Sequence, residues 1–310
     1  MCGASALAAT GDDFDLAEIL RRWQDEGRVT ITEPVWRQYT QPEPPRVTLH
    51  SCGTCGFGVF LPPVAGTPEF YECVTPDDGS VYTPEKWEFL QAVKDLRRHG
   101  CRRVLDVGSG SGYFLDLARA RLPRVSVAGL EFNAEMARLV RAKGHEVYCG
   151  ESFDAIPEGV GPFDAVCIFQ VLEHVADPRA LIETVRRRLA PGGVLIIAVP
   201  DNEGPVKYFS RALTELPPHH LSRWRASTFR LGLPQMGFAV LRVALDPLHS
   251  SMWQEYLPVI LEHSRLPRPL ARALSKNDRL TRLLRKLRLR WLRGVRGHSI
   301  YVVARSTGRG

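Results

Sequence analysis

Residues 103–114, Arg-Val-Leu-Asp-Val-Gly-Ser-Gly-Ser-Gly-Tyr-Phe, constrain this chain more than any other stretch. The apolar run Val104, Leu105 and Val107 delivers Asp106 into a turn punctuated by Gly108, Gly110 and Gly112. Beyond the turn the apolar period changes, and Phe114, Leu115, Ala118 and Leu122 recur at helical spacing. A strand, a glycine turn and a helix in that order bring backbone N–H groups and a helix N-terminus up to a ligand. A dinucleotide fingerprint would need its third glycine where Tyr113 stands, which disfavours a nucleotide-dependent oxidoreductase.

The same alternation continues along the chain. Patterning predicts strands over 104–107, 125–130, 146–149, 163–170 and 194–199, with helices over 112–122, 134–143 and 178–189 between them. A helix over 84–99 precedes the first strand, with Pro84 in its first turn and Glu85 near its N-terminus. A short helix closes at 229–233, and strands follow over 238–245 and 299–304. Short-linked β and α segments predict an α/β fold with a parallel sheet covered on both faces.

Two further features point to a nucleoside ligand. The second strand ends in Leu130-Glu131-Phe132-Asn133, which places a carboxylate where its two oxygens can accept both ribose hydroxyls. The alternative is that Glu131 is only the first-turn acid of the next helix. The fourth strand runs into Gln170-Val171-Leu172-Glu173-His174, so Gln170 falls at a strand's carboxyl end, where open α/β sheets bind ligands.

The run Asp106-x-Gly108-x-Gly110-x-Gly112 resembles the first motif of class I S-adenosylmethionine-dependent methyltransferases. Residues 163–175, Phe-Asp at one end and Val-Leu-Glu-His-Val at the other, resemble their fourth. The resemblance covers about residues 84–245 well. It implies a Rossmann-like, mostly parallel sheet closed by an antiparallel last strand beside the sixth, making 246–297 an insertion. It implies S-adenosylmethionine as cofactor, held by Asp106, Gly108, Gly110, Gly112, Glu131, Phe132 and Gln170. Tyr113 would reach its amino-acid tail, and Glu151, Ser152 and Phe153 would edge its adenine. An acid at the turn suits this ligand, which has a cationic sulfonium and no pyrophosphate. In this reading His174 is a structural hydrogen-bonding residue.

Methyl transfer leaves the protein to align nucleophile and methyl and to exclude water, but a hydroxyl acceptor also needs a base. The candidates are His219 and His220, in Leu-Pro-Pro-His-His-Leu after the fifth strand. Imidazole suits base catalysis near neutrality, and a packing role for either ring stays equally open. Asp201 and Asn202 are weaker candidates on the acceptor side. The implied reaction is methylation of a small-molecule, glycan-type or carrier-bound acceptor, most commonly on oxygen, with carbon and nitrogen open. The competing reading is a catalytically silent scaffold that keeps the cofactor fold.

Residues 1–83 form an expected N-terminal module. Its amphipathic helix spans 14–26, and a proline-rich connection leads to Cys52-Gly-Thr-Cys55-Gly, one knuckle of a zinc ribbon. With Phe70 and Tyr71, the region resembles a module found on some bacterial sugar and natural-product methyltransferases. A tetrahedral site needs four ligands, and Cys2, His50 and Cys73 stand at unconvincing spacing. A metal-free ribbon therefore ranks ahead of bound zinc. The first nine residues are apolar without a basic start and read as a disordered tail rather than an export signal.

The 310 residues are 44% apolar, enough for a substantial core, and no run is long enough to cross a membrane. Seven scattered cysteines fit a reducing cytosol. The formal charge of +7 belongs to 265–296, where twelve Lys and Arg face the single acid Asp278, so the remainder is net negative. Within it 279–292 reads as an amphipathic basic helix with Leu280, Leu283, Leu284, Leu287 and Trp291 on one face. A lid or homodimer helix ranks first for this segment, then an acidic partner or membrane surface, with nucleic acid last.

Overall fold

The computed structural model describes residues 1–4, 6–74, 86–248, 253–263, 269 and 296–308. The readings at Pro84, Glu85 and the basic helix over 279–292 lie outside these residues. No described helix is long and apolar enough to cross a membrane.

The first part of the chain makes a small antiparallel sheet from β1 (Leu7–Asp15), β2 (Arg46–Cys52) and β3 (Gly58–Leu61). Helix α1 (Leu16–Asp25) starts where the Asp15 carboxylate accepts the N–H groups of Ala17 and Glu18 at 2.8 and 3.2 Å, a cap that stabilises by about 1 kcal/mol. Its stripe of Leu16, Ile19, Leu20 and Trp23 is buried against Val35 and Tyr39 of α2 (Glu33–Thr40) and Phe70 of α3 (Pro68–Val74). The N-terminus corrects the expectation of a disordered tail: β1 pairs with β2, and Cys2 is buried. Most β1 side chains are exposed, so what orders it is the hydrogen-bonding edge of β2, which a hydrophobicity reading does not register.

After α4 (Trp87–Arg98) the chain alternates through β4 (Arg103–Val107), α5 (Tyr113–Arg121), β5 (Ser126–Glu131), α6 (Ala134–Ala142), β6 (Glu146–Cys149), β7 (Phe163–Phe169), α7 (Pro178–Arg188) and β8 (Leu189–Pro200). Strand β8 starts earlier than its apolar core suggests, because Leu189 already pairs with Phe163. The two-residue β9 (Ser222–Arg223), α8 (Ala226–Gly232), β10 (Phe238–Pro247), α9 (Trp253–Glu262) and β11 (Arg296–Ser306) complete the described elements. The large sheet has the order β10-β11-β8-β7-β4-β5-β6, parallel except for β11, which runs antiparallel to both neighbours. The segment between β10 and β11 is thus an insertion between adjacent strands, as expected.

Period-two alternation sets the layers. Val104, Ala165, Cys167, Ile196 and Val303 pack with Phe89, Val93 and Leu96 of α4 and Phe114 of α5. Leu105, Val107, Val166, Ile168 and Ile197 pack on the opposite face with Ile182 and Val185 of α7 and Phe229 of α8. The same alternation puts Asp106, opposite in parity to Leu105 and Val107, on the α4/α5 side.

The two sheets are laced together after β8. Strand β9 adds to the small sheet through Gly58 opposite Arg223 and Val59 opposite Ser222. Leu213 and Leu216, from the same connection, are buried in the small core with Trp23 and Phe70. That packing fixes the loop carrying His219 and His220.

Candidate functional site

A cavity of about 1610 Å³ opens at the carboxyl ends of β4, β5 and β7, where the strand order turns back on either side of β4. Gly108 and Gly110 form part of one wall, whereas Gly112, also expected to hold the cofactor, does not line the cavity and turns toward Val140. Gly108, Gly110 and Gly112 have φ of +73°, +50° and +78°, the left-handed region that favours glycine. A Cβ on Gly108 would collide with Val171, and one on Gly112 would sit 2.8 Å from Val140.

Asp106 and Glu131 both line this cavity. Asp106 is 2% exposed and its Oδ1 has no hydrogen-bond partner. Glu131 turns back toward the glycine turn: Oε2 accepts the Gly110 N–H at 2.7 Å and Oε1 accepts the Asn133 N–H at 3.0 Å. The cap of α6 is Asn133, whose side chain accepts the Met136 N–H at 2.9 Å. Each Glu131 oxygen therefore keeps a second lone pair for a ligand. Burial, then the nearby Glu131 charge, pushes the Asp106 carboxyl well above its ordinary range, with Lys86 pulling the other way. Burial also raises Glu131 against its backbone hydrogen bonds. Two buried acids this close, one with an orphaned oxygen, make a site for a cationic ligand bearing hydroxyls.

The other residues expected at the cofactor end also line the cavity. Phe132 is 39% exposed and meets the Tyr71 ring edge-on at 5.9 Å. Lys143 Nζ lies 5.2 Å from the Tyr113 ring. Ser152 accepts the Asp154 N–H at 3.2 Å to start a short 3₁₀ turn, and Phe153 packs into the main core. Gln170 holds φ +56°, a conformation costing of order 1–3 kcal/mol for a non-glycine residue. Its Nε2 donates to Ser299 Oγ at 3.0 Å and Glu88 Oε1 at 3.3 Å, which fixes the strand end.

At the far end, His174, His219 and His220 line the same cavity with Glu173, Glu215 and His298. Nδ1 of His220 is 3.3 Å from Glu215 Oε1. Burial pushes His220 down, but the hydrogen bond and charge of Glu215, with Glu173, more than offset it, so His220 ends above its ordinary value. Burial raises Glu215, and the hydrogen bond and charge of His220 bring it below the usual range. His219 differs: burial and the His220 charge push it down to about 3. Burial raises Glu173 to about 7 and lowers His298 to about 4.

Sequence reading found His219 and His220 but missed their surroundings. His174, read as structural, hydrogen-bonds through Nδ1 to the His219 carbonyl at 2.7 Å and also shares the cluster. Tyr71 was noted only for its module, yet its hydroxyl lies 2.9 Å from that same Nδ1. Asp201 and Asn202 are corrected: among the described residues neither lines this cavity. Asp201 accepts the Glu203 N–H at 3.1 Å, and Asn202 donates to Glu215 Oε2 at 3.2 Å from behind. Their strand turns them into the β9 connection, away from the opening.

Two groups of side chains among the described residues could hold a metal. One is the histidine cluster. The other joins Cys52 and Cys55 to Cys2, whose Sγ is 3.6 Å from Cys52 Sγ. Backbone N–H groups of the knuckle bring Cys52 down to about 7, and burial pushes Cys55 up to about 11. His50 and Cys73 are engaged elsewhere, with the Thr48 carbonyl and the Thr32 hydroxyl.

Residues 83–243, more than half of the chain, match the family described as a methyltransferase domain, and the chain belongs to that family. It is similar to ubiquinone biosynthesis O-methyltransferase from Caulobacter sp., 33% identical over 133 residues, covering 38% of this chain and 52% of the relative. The corresponding enzyme of Xanthomonas oryzae is 35% identical over 121 residues, covering 37% and 48%. The chain spans about half the length of these curated relatives. A solved SAM-dependent methyltransferase from Archaeoglobus fulgidus is 19% identical with a TM-score of 0.46, over 70% of this chain and 94% of that one. A SAM-bound amino pentose methyltransferase from Micromonospora echinaspora is 32% identical with a TM-score of 0.32, over 36% and 50%.

Proposed function

We propose that the protein is an S-adenosylmethionine-dependent O-methyltransferase whose acceptor is a hydroxylated small molecule, free, glycan-type or carrier-bound. The observation that carries this is the pair of buried carboxylates, Asp106 and Glu131, sharing one cavity with a histidine–glutamate cluster. The residues present fit the cofactor. The orphaned Asp106 oxygen and the spare lone pairs of Glu131 match a cation and a ribose diol, and the left-handed glycine turn leaves room for close approach. When bound, S-adenosylmethionine supplies a methyl group on a positively charged sulfur.

The cavity exceeds the roughly 300–1,000 Å³ of an ordinary small-molecule pocket, so a second molecule fits beside the cofactor. Oxygen as the accepting atom is supported by the name of the curated relatives and by the chemistry at the far end. A hydroxyl must lose its proton as it attacks, and His220 backed by Glu215 is the most basic imidazole of the cluster. The buried Glu173 adds negative charge there and favours a proton arriving on His220.

The test is transfer of labelled methyl from S-adenosylmethionine across a panel of hydroxylated metabolites and glycosides, with wild type and His220→Ala. Wild type should label an ether oxygen. The variant should lose about 10²–10⁴-fold in kcat while binding the cofactor unchanged. Label on nitrogen or carbon alone, or full turnover by the variant, would overturn the reading.

A further inference from the structure

The rings of His174, His219 and His220 form a triangle with centroids 4.7–4.8 Å apart. One ring nitrogen of each lies within 4.8 Å of those of the other two. Nδ1 of each ring already has an oxygen partner, which leaves Nε2 as the nitrogen free for a ligand. His174 Nδ1 lies 2.7 Å from the His219 carbonyl, His219 Nδ1 lies 3.0 Å from the Thr214 carbonyl, and His220 Nδ1 lies 3.3 Å from Glu215 Oε1. Carbonyl and carboxylate oxygens only accept, so in the neutral rings Nδ1 carries the proton and Nε2 keeps the lone pair.

Packing alone does not call for three clustered rings in one tautomer. An oxygen behind each Nδ1–H is the arrangement by which proteins fix and strengthen histidine ligands to a metal. The electrostatics agree. Glu173 is 1% exposed, lines the same cavity, and has an Oε2 with no hydrogen-bond partner. A cation among the rings would answer both the three clustered ring nitrogens and that unpartnered oxygen.

We propose that His174, His219 and His220 bind one divalent transition-metal ion of the zinc class, with its remaining position open to the cavity. Three imidazoles suit zinc, cobalt or nickel and not the oxygen-seeking magnesium or calcium. Ligand bonds of roughly 2.0–2.1 Å need the nitrogens to close to about 3.3 Å, a small adjustment of the side chains. The site rests on the acceptor-activation reading above for its substrate, a hydroxyl, and replaces proton transfer to His220 with activation by the ion. An acceptor hydroxyl at the open position would be polarised by the ion, which makes its proton easier to lose. With the ion bound, His220 gives its lone pair to it instead of to a proton.

The test loads the protein with Co²⁺, because the thiols of Cys2, Cys52 and Cys55 could also take up metal. A histidine site gives the visible absorption of tetrahedral cobalt without a thiolate charge-transfer band. That absorption should reach one equivalent, survive Cys52→Ser, and disappear in His219→Ala. Chelation needs no variant: it should lower kcat about 100-fold, leave S-adenosylmethionine binding by calorimetry unchanged, and be reversed by Zn²⁺ or Co²⁺. Cobalt absorption abolished by Cys52→Ser and untouched by His219→Ala would overturn the proposal. So would full turnover after chelation, an outcome that leaves His220 standing as the base.

Discussion

The two ends of the cavity are built in opposite ways. At the cofactor end Asp106, Gly108, Gly110, Gly112 and Tyr113 belong to one strand–turn–helix unit, and Glu131 reaches back to it from the next strand through the Gly110 N–H. The backbone itself sets that geometry. The histidine end is assembled from Tyr71, from Glu173 and His174, from Glu215, His219 and His220, and from His298. The segments bearing Tyr71 and His219–His220 are held by the small core, where Leu213 and Leu216 are buried and Trp23 lies 6.0 Å from the His219 ring. One end tolerates change elsewhere in the molecule; the other is only as well placed as the module behind it.

The largest effect that would break this contrast is at the turn. Gly110→Val places a β-branched residue at φ +50° and fills the approach, so S-adenosylmethionine affinity should fall at least about 100-fold by calorimetry. Unchanged affinity would mean that the turn does not shape the cofactor site. Next comes the support of the other end. Leu216→Ala removes a fully buried side chain and should cost about 2–5 kcal/mol by denaturant unfolding. At a temperature where the variant stays folded, kcat should drop while cofactor affinity stays within about twofold. Equal losses in both would erase the distinction between the two ends.

A smaller effect sharpens it. Burial raises both Asp106 and Glu131, and a cationic ligand needs them ionised. As pH falls through their raised values the carboxylates protonate, so affinity should weaken by up to about tenfold per pH unit for each group, beginning above the ordinary carboxylate range. Calorimetry across mildly acidic to neutral buffers reads this directly. Affinity that holds steady down to the ordinary carboxylate range would show that these acids do not face the ligand's charge.

The same contrast explains what was legible in the sequence. Val104 through Gly112 announce strand and turn because their residue types are required by local geometry, and the apolar run from Ile300 to Ala304 marks β11, whose place beside β10 is implied only by the family resemblance. His219 and His220 stood out as a pair. Their partners did not, because Tyr71 reaches His174 across 103 positions and no local pattern marks that contact. Cys2 joins Cys52 across 50 positions by pairing of β1 with β2, and β1 owes its order to backbone hydrogen bonds that its mostly exposed side chains do not signal. Asp201 and Asn202 were misplaced for a related reason: a strand end predicts nearness to the opening, not which way the next turn faces.

The central claim is that one cavity joins a carboxylate-lined cofactor end to a separate histidine end. Calorimetric titration of wild type, Asp106→Ala and His220→Ala with S-adenosylmethionine tests it most directly. Wild type and His220→Ala should bind one equivalent with matching affinity, and Asp106→Ala should bind about 10–100-fold more weakly, the size expected for losing a charged partner. Binding by Asp106→Ala as tight as wild type, or absence of saturable binding in wild type, would contradict it.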